Sequence, residues 1–139
     1  LIHVMKHLLS LLLLCYLSGC KSKDTDQTNS NPRKLTREEK ILVGFYNSTT
    51  GKQKIKLVLK ANGYCDLLQE GKKMNDEPMI WSIHKSEIKI QTQWFSKWKD
   101  LMHFRVQDNG DLRLVAESMR SNNRIDLPET RQSIFSRSN

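Results

Sequence analysis

The amino-acid sequence predicts an all-β fold, an antiparallel up-and-down meander of about eight short strands that closes into a small barrel. From residue 41 onward, apolar and polar residues alternate with a period of two instead of 3.6. Turn signals recur at short spacing, and amphipathic segments of helix length are absent. Short strands with one apolar face leave unpaired edges unless the sheet closes on itself, so a barrel is the most economical arrangement.

The chain begins with a segment of different character. Met5 is followed by the basic pair Lys6-His7, and residues 8–17 are apolar apart from Ser10. This is a short basic region before an apolar run of signal-peptide length. A membrane-spanning helix needs about 20 apolar residues, so this run is too short to span. Met5 suits the pattern better than Leu1 as the initiating residue, and both starts stay open.

The apolar run ends in Leu17-Ser18-Gly19-Cys20. This stretch resembles the lipobox of bacterial lipoproteins, in which an aliphatic residue and two small residues precede a cysteine. The resemblance implies cleavage before Cys20 and attachment of membrane lipid to its thiol. Each buried acyl methylene contributes about 0.8 kcal/mol, so two or three chains would make attachment permanent. The alternative is a soluble secreted protein with a chance cysteine.

The predicted organisation has three parts: the signal peptide 1–19, the lipidated cysteine with a flexible tether 20–40, and the barrel domain 41–139. The stretch 21–40 holds Leu35 as its one large apolar side chain, which is too little to form a core. Residues 35–40 are compatible with a short helical turn. Lys21 is not the Asp that retains many lipoproteins in the inner membrane, so the resemblance favours the outer membrane of a bacterial cell envelope.

The net charge indicates which binding partners are favoured, and the cysteine content indicates whether a disulfide can form. The formal net charge of +8 favours acidic neighbours such as anionic lipid head groups or envelope polymers. Nucleic acid is not an expected partner, because the basic residues are scattered and an exported lipoprotein seldom meets it. Cys15 precedes the cleavage point and Cys20 would carry lipid, so Cys65 has no cysteine to pair with. The fold must therefore rest on its hydrophobic core.

The predicted strands span residues 41–47, 54–60, 64–70, 79–84, 87–92, 101–107, 111–117 and 132–136. Asn62-Gly63 and Asn109-Gly110 each lie in a three-residue loop that needs a positive φ at glycine, and they fix two registers. The first register pairs Leu57 with Leu67 and Leu59 with Cys65; the second pairs Met102, Phe104 and Val106 with Ala116, Leu114 and Leu112. The side chains expected to face solvent are Lys56, Lys60, Lys89, Gln91, His103, Arg105 and Arg113.

A second resemblance concerns the barrel itself. Gly44-Phe45-Tyr46 is similar to the Gly-x-Trp of lipocalin-like barrels, with Tyr46 in place of the tryptophan. Leu-x-Leu-x-x-Asn-Gly, Trp-x-Ile and Asn-Gly-Asp-Leu follow in the order found in small lipocalin-like bacterial lipoproteins. The resemblance implies a barrel over residues 43–137 with Arg137 packed over the Tyr46 ring. The Cys-x-x-Cys of related copper-resistance and envelope-stress lipoproteins is absent, so metal sensing by that route is not expected.

The sequence lacks recognisable catalytic apparatus. It contains no Gly-x-Ser-x-Gly, no His-Glu-x-x-His and no glycine-rich phosphate loop, so we predict that the protein is not an enzyme and needs no cofactor. His84 and His103 show no paired spacing with His or Cys, and no metal site is predicted. Cys65 is expected to face inward as a small hydrophobe, with a redox or metal-binding role as the alternative.

Two functional hypotheses follow. In the first, the protein is a membrane-anchored binding module that holds a small apolar ligand inside the barrel. The residues predicted to line the ligand are Tyr46, Leu57, Leu59, Trp81, Ile83, Ile88, Ile90, Phe104 and Leu114. In the second, the core is filled, and the protein is an interaction module such as an envelope assembly factor or inhibitor.

The second hypothesis places the contact site in the connection 93–100, between the predicted fifth and sixth strands. Trp94, Phe95 and Trp98 lie there beside two lysines. Exposed aromatic side chains with cations suit protein hot spots and membrane interfaces. The alternative is that these aromatics fold down and cap one end of the barrel.

Overall fold

The computed structural model describes residues 33–49, 54–118 and 123–138. The predicted signal peptide, the lipobox with Cys20 and the tether as far as residue 32 lie outside the described residues. The elements of the described part are α1 (Arg37–Leu42), β1 (Gly44–Ser48), β2 (Ile55–Leu59), β3 (Tyr64–Gln69), β4 (Lys72–Lys73), β5 (Met79–His84), β6 (Glu87–Trp94), β7 (Lys97–Val106), β8 (Leu112–Glu117), β9 (Ile125–Asp126), a 3₁₀ helix (Glu129–Arg131) and β10 (Ile134–Ser138).

Eight of the strands close into an antiparallel barrel, as the sequence predicted. Their order around the ring is β1-β2-β3-β5-β6-β7-β8-β10, and β10 returns to pair with β1. The short strands β4 and β9 pair with β3 and β8. Because neighbours in the ring follow one another along the chain, the topology is an up-and-down meander, and its closure removes the long sheet edges.

The predicted registers are confirmed in four of five pairs. The confirmed pairs are Leu57–Leu67, Leu59–Cys65, Phe104–Leu114 and Val106–Leu112. The prediction that Met102 lies opposite Ala116 is wrong, because a bulge between β7 and β8 moves Ala116 opposite His103 and leaves Met102 opposite Glu117. The bulge adds one residue, Val115, to the β8 side.

Several predicted boundaries need correction. Strand β7 begins at Lys97 instead of 101, and β6 continues to Trp94, so the stretch 93–100 belongs to a long hairpin. The last strand begins at Ile134 instead of 132. The two-residue strands β4 and β9 were not predicted, because two residues are too few to show a period.

The first predicted strand is wrong at its start, since residues 37–42 form the helix α1. Thr36 caps the helix: its hydroxyl accepts a hydrogen bond from the Glu39 N–H, and the Glu39 carboxylate accepts one from the Thr36 N–H. Leu35 and Leu42 join the hydrophobic core. Residues 33–40, assigned above to the tether, are therefore part of the folded domain.

Glu39 fastens α1 to the barrel. Its carboxylate is 2% exposed and accepts two hydrogen bonds from Arg33, each 2.9 Å, and one from the Ile83 N–H at 3.1 Å. Arg33 also donates to the Trp81 carbonyl at 2.9 Å. Burial alone would raise the pKa of Glu39, but the hydrogen bonds from Arg33, Thr36 and Ile83, and the charge of Arg33, outweigh it and lower the pKa to about 2.

Arg137 lies over Tyr46, as the resemblance to lipocalin-like barrels implied. The guanidinium carbon lies 6.0 Å from the centre of the Tyr46 ring, and the side chain donates to the Val43 carbonyl at 3.0 Å. A Cβ on Gly44 would lie 3.4 Å from the Arg137 Nε, so the guanidinium packs within van der Waals distance of this position. The Tyr46 hydroxyl donates to the Leu42 carbonyl at 2.8 Å, which links the buried ring to α1.

The strand directions separate the two ends of the barrel. The loop 60–63 and the turns 85–86 and 107–111 lie at the same end as Glu39 and Arg137, and we call this the closed end. The hairpin between β6 and β7 turns at the opposite end. Buried polar contacts lie at the closed end, whereas a group of three exposed aromatic side chains lies at the opposite end.

Candidate functional site

The candidate site at the hairpin end is formed by residues 94–98, which we call the aromatic tip. Strands β6 and β7 run up to a two-residue turn at Phe95 and Ser96. Both turn residues have positive φ, 46° and 60°, a conformation that glycine or asparagine adopts more easily. Phe95 is therefore held at the extreme end of a regular hairpin.

The two tryptophans of the tip lie on opposite faces of the hairpin. Trp94 is directly opposite Lys97, whereas Trp98 is directly opposite Gln93, and residues opposite each other share a face. Phe95 packs edge-on against Trp94, with ring centres 5.0 Å apart. The exposed fractions are 39% for Trp94, 84% for Phe95 and 39% for Trp98. The three predicted contact residues are thus exposed together at the end of the hairpin.

The hairpin below the tip is braced by polar contacts. Asp100 accepts a hydrogen bond from Gln91 at 2.8 Å and forms an ion pair with Lys89 at 3.2 Å. The Gln93 N–H donates to the Pro78 carbonyl at 3.2 Å, which fastens the hairpin to the segment before β5. These contacts give the aromatic tip a rigid support.

The residues predicted to line an apolar ligand form the barrel core instead of an open cavity wall. At most 1% of the surface is exposed in seven of the nine: Tyr46, Leu57, Leu59, Trp81, Ile88, Ile90 and Phe104. Leu114 is 9% exposed, and Ile83 is half-buried against the core. A side chain that borders a cavity large enough for a water molecule has accessible surface. These seven side chains have almost none, so they are surrounded by packed protein.

Specific contacts hold the largest of these side chains in place. The indole N–H of Trp81 donates to the Lys60 carbonyl at 3.1 Å, and the rings of Phe104 and Phe135 pack edge-on with centres 5.4 Å apart. Cys65 lies inward beside them, as predicted, and burial raises the pKa of its thiol, with the Asp66 charge acting in the same direction. A buried thiol with a raised pKa is a poor nucleophile.

A polar cleft on the outer face of β6 and β7 was not predicted from the sequence. It has a volume of about 370 Å³ and is lined by His84, Lys85, Glu87, Lys89, Asp100, His103 and Arg124. Arg124 reaches across the face and donates to both Glu87 oxygens, at 2.6 and 3.2 Å. The alternation of β6 and β7 places most of these side chains on one face, but the sequence does not show that residue 124 covers them.

His103 lies at the bottom of this cleft, which corrects the prediction that it faces solvent. Its side chain points outward, but it is 5% exposed and its Nε2 lies 3.0 Å from the Ser118 hydroxyl. Burial lowers the pKa of His103, and the charge of Arg124 acts in the same direction. Ser118 is itself fully buried, so a substrate could not reach its hydroxyl in this arrangement.

The described residues contain no group of three or more His, Cys, Asp or Glu side chains that could hold a metal ion. Their helices include none that is long and apolar enough to cross a membrane. No family model, curated protein or solved structure matches this chain. Its functional interpretation therefore rests on its own residues and their geometry.

Proposed function

We propose that the protein is a non-enzymatic binding module of the bacterial cell envelope, anchored by lipid on Cys20, in which a filled barrel presents the aromatic tip to a partner. One observation carries the proposal: the three predicted contact residues are exposed together on a braced hairpin, at 39%, 84% and 39%. Large exposed aromatic side chains grouped in one place indicate an interaction site, whereas single ones are ordinary on protein surfaces.

The burial of the barrel interior supports an interaction module over a carrier of apolar ligands. A carrier needs space beside its lining residues, and seven of the nine predicted ones are at most 1% exposed. Entry of a ligand would have to displace packed side chains such as Trp81, whose indole is also hydrogen-bonded. The carrier hypothesis is kept as an outcome of the experiment below.

Among the described residues, His103 and Ser118 most resemble a catalytic pair. Their burial supports the non-enzymatic assignment. His103 and Ser118 are within hydrogen-bond distance, at 3.0 Å, as a base and a nucleophile would be. Ser118 has no exposed surface, and nearby charged side chains are already paired with one another, as Glu87 is with Arg124. The arrangement suits a structural role.

Anchoring through Cys20 rests on the sequence pattern Leu17-Ser18-Gly19-Cys20. Replacement of Cys20 by Ser should abolish metabolic labelling with a fatty-acid probe and release the protein from the membrane fraction. Labelling that persists in this variant would contradict the anchor without affecting the proposal for the aromatic tip.

The contact site is tested by photocrosslinking in the producing bacterium. A photoreactive phenylalanine analogue at position 95 should give a discrete adduct with one envelope component, and replacement of Trp94 and Trp98 by Ser should reduce the adduct at least tenfold. Phe45 is a matched control because it is 53% exposed on β1, far from the tip; the same analogue there should give no such adduct.

The carrier hypothesis is tested on the same purified protein by native mass spectrometry. The proposal expects the bare mass of the protein. A bound small apolar molecule at one-to-one stoichiometry, together with equal crosslinking at positions 45 and 95, would overturn the interaction module in favour of the carrier.

A further inference from the structure

The aromatic tip presents apolar surface on all its sides. Trp94 and Trp98 point to opposite faces of the hairpin, and Phe95 occupies its end. A protein partner that docks on one face would cover one tryptophan and leave the other in water. All three rings lose contact with water together when the tip enters a medium that surrounds it.

We propose that the aromatic tip inserts into the head-group region of an anionic phospholipid bilayer. This inference rests on the proposed function, in that it takes the tip as the contact site and names its partner. The site is the end of the β6–β7 hairpin, and the ligand is the lipid surface itself.

The chemistry of the tip suits this interface. Tryptophan is enriched where hydrocarbon meets water, because its ring is amphipathic. Lys97 shares a face with Trp94, and Lys99 follows two residues later on the same strand. Lysine side chains can extend their ammonium groups toward lipid phosphates while their apolar stems stay with the acyl chains. The run from Gln93 to Lys99 contains no acidic residue that would be repelled by an anionic surface.

The backbone of the tip places an aromatic side chain at the end of the hairpin. The chain uses Asn-Gly in two other hairpin loops, where Gly63 and Gly110 take the positive φ. At the tip it places Phe95 and Ser96 in that region instead. The turn at Lys85 and Ser86 also has positive φ at both residues without glycine, so the tip is distinguished by the aromatic side chain at Phe95 and not by its backbone. A phenylalanine at the end of a rigid hairpin is placed to enter the bilayer first.

The predicted anchor is compatible with insertion into the same bilayer. Twelve residues lie between Cys20 and Arg33, so the thirteen Cα-to-Cα steps from one to the other can span at most about 45 Å. The eight residues of β6 extend over only about 27 Å. The tether is thus long enough for the hairpin end to return to the membrane surface, and the two attachments would reinforce each other by raising the effective concentration of the tip.

Quenching of tryptophan fluorescence tests the inference directly. The full-length protein is mixed with vesicles of phosphatidylcholine and phosphatidylglycerol that carry bromine on their acyl chains. Trp94 and Trp98 should be quenched and shifted to the blue, whereas Trp81, which is 1% exposed in the core, should not. The variants Trp94→Phe and Trp98→Phe each report on the remaining tip tryptophan, and the double variant isolates Trp81.

The charge requirement has a matched control within the chain. Replacement of Lys97 and Lys99 by Gln should lower the quenched fraction several-fold in anionic vesicles and leave the weaker signal in pure phosphatidylcholine unchanged. Replacement of Lys34 and Lys40 by Gln removes the same charge from the closed end, where both residues are exposed. That control should behave like the parent protein.

The outcomes separate this inference from the proposed function. If both tip tryptophans stay unquenched in anionic vesicles while position 95 crosslinks to a protein, the bilayer is not the partner and the interaction module stands. Absence of quenching together with absence of any adduct overturns both. Quenching of only one tip tryptophan would also contradict the inference, because insertion from the end of the hairpin should bury both.

Discussion

The two ends of the barrel differ in their buried polar contacts and in their exposed aromatic surface. At the closed end, the Glu39 carboxylate accepts hydrogen bonds from Arg33, Thr36 and Ile83. At the hairpin end, three aromatic rings are exposed and two residues without a glycine hold positive φ. Positive φ without glycine also occurs at the closed end, in the turn at Lys85 and Ser86, so the ends differ in their side chains: the first has buried polar contacts, and the second has grouped aromatic rings that a partner would cover.

The closed end also shows what holds together the described part of the chain, in which the one cysteine, Cys65, is free. α1 covers this end, Arg137 lies over the Tyr46 ring, and the Tyr46 hydroxyl returns to the helix through the Leu42 carbonyl. The Tyr46–Leu42 contact joins the helix to β1, and the Arg137–Tyr46 contact joins β10 to β1. We therefore expect substitutions at this end to change the stability of the whole domain, and substitutions at the aromatic tip to change binding while stability stays nearly constant.

The largest expected effect follows from replacing Glu39 by Gln, which removes the carboxylate. Its pKa is lowered from 4.5 to about 2, a difference that corresponds to about 3 kcal/mol at neutral pH. We expect the variant to lose about that much free energy of unfolding in urea denaturation at pH 7. Replacement of Glu38, the exposed neighbour on the same helix, should cost less than about 0.5 kcal/mol.

The difference in the free energy of unfolding between the parent protein and Glu39→Gln should depend on pH, and the direction of that dependence follows from the lowered pKa. The folded state holds the Glu39 proton less tightly than the unfolded state, so the stabilisation is complete above about pH 5 and is lost as the pH falls from 4.5 toward 2. The difference between parent and variant should shrink over that interval. A difference that stays constant down to pH 2 would show that the carboxylate charge is not the source.

The sequence predicted the barrel and four of the five registered pairs because alternation and Asn-Gly turns are local signals. It indicated a short helical turn over residues 35–40 but not the extent of α1 to Leu42, because Ile41 and Leu42 also continue the β pattern of the strand after them. The bulge in β8 escaped prediction for a related reason. Leu114, Val115 and Ala116 are all apolar, so the alternation does not show which residue is additional.

The aromatic tip and the polar cleft also differ in whether local sequence patterns could predict them. The aromatic tip could be predicted because its three contact residues lie within five positions of the chain. The tight turn could not, because Phe95-Ser96 is not a turn signal. Burial of His103 depends on Ser118, which directly follows β8, and on Arg124, which precedes β9. Contacts between residues so far apart in the sequence form only when the barrel closes, so no local sequence pattern predicts them.

A smaller effect should distinguish two turns that have the same backbone. Gly63 and Gly110 have φ of 83° and 86°, but an added Cβ would lie 3.1 Å from the Arg33 Nε at Gly63 and would meet nothing within 4 Å at Gly110. Gly110→Ala should cost about 1 kcal/mol from the positive φ alone. Gly63→Ala should cost about 2 kcal/mol, since it also displaces Arg33 from Glu39.

Thermal and urea denaturation of the two glycine variants measure this difference. Combination of Gly63→Ala with Glu39→Gln provides a further control, because the excess cost at Gly63 should largely vanish when the carboxylate is absent. Equal losses for Gly63→Ala and Gly110→Ala would show that Arg33 moves aside freely, and the closed end would then be less rigid than its hydrogen bonds indicate.

The smallest expected effect concerns the strain at the hairpin end. Ser96 follows Phe95 in a turn with φ of 46° and 60°, and Ser86 follows Lys85 in a turn with φ of 48° and 66°. Glycine relieves about 1 kcal/mol of strain at such a position, and its greater freedom in the unfolded chain offsets part of that gain. Ser96→Gly and Ser86→Gly should each stabilise the domain by about 0.5 kcal/mol.

Equal gains from Ser96→Gly and Ser86→Gly would mean that the two turns store the same strain and that only the neighbouring side chain, Phe95 or Lys85, distinguishes them. The difference should then appear in binding: neither variant should change the crosslinking yield at position 95 by more than about twofold, whereas replacement of Trp94 and Trp98 by Ser should reduce it at least tenfold. If Ser96→Gly lowers that yield strongly while Ser86→Gly does not, the strained backbone itself is needed to hold Phe95 in its binding position, because relief of the strain frees the turn to move.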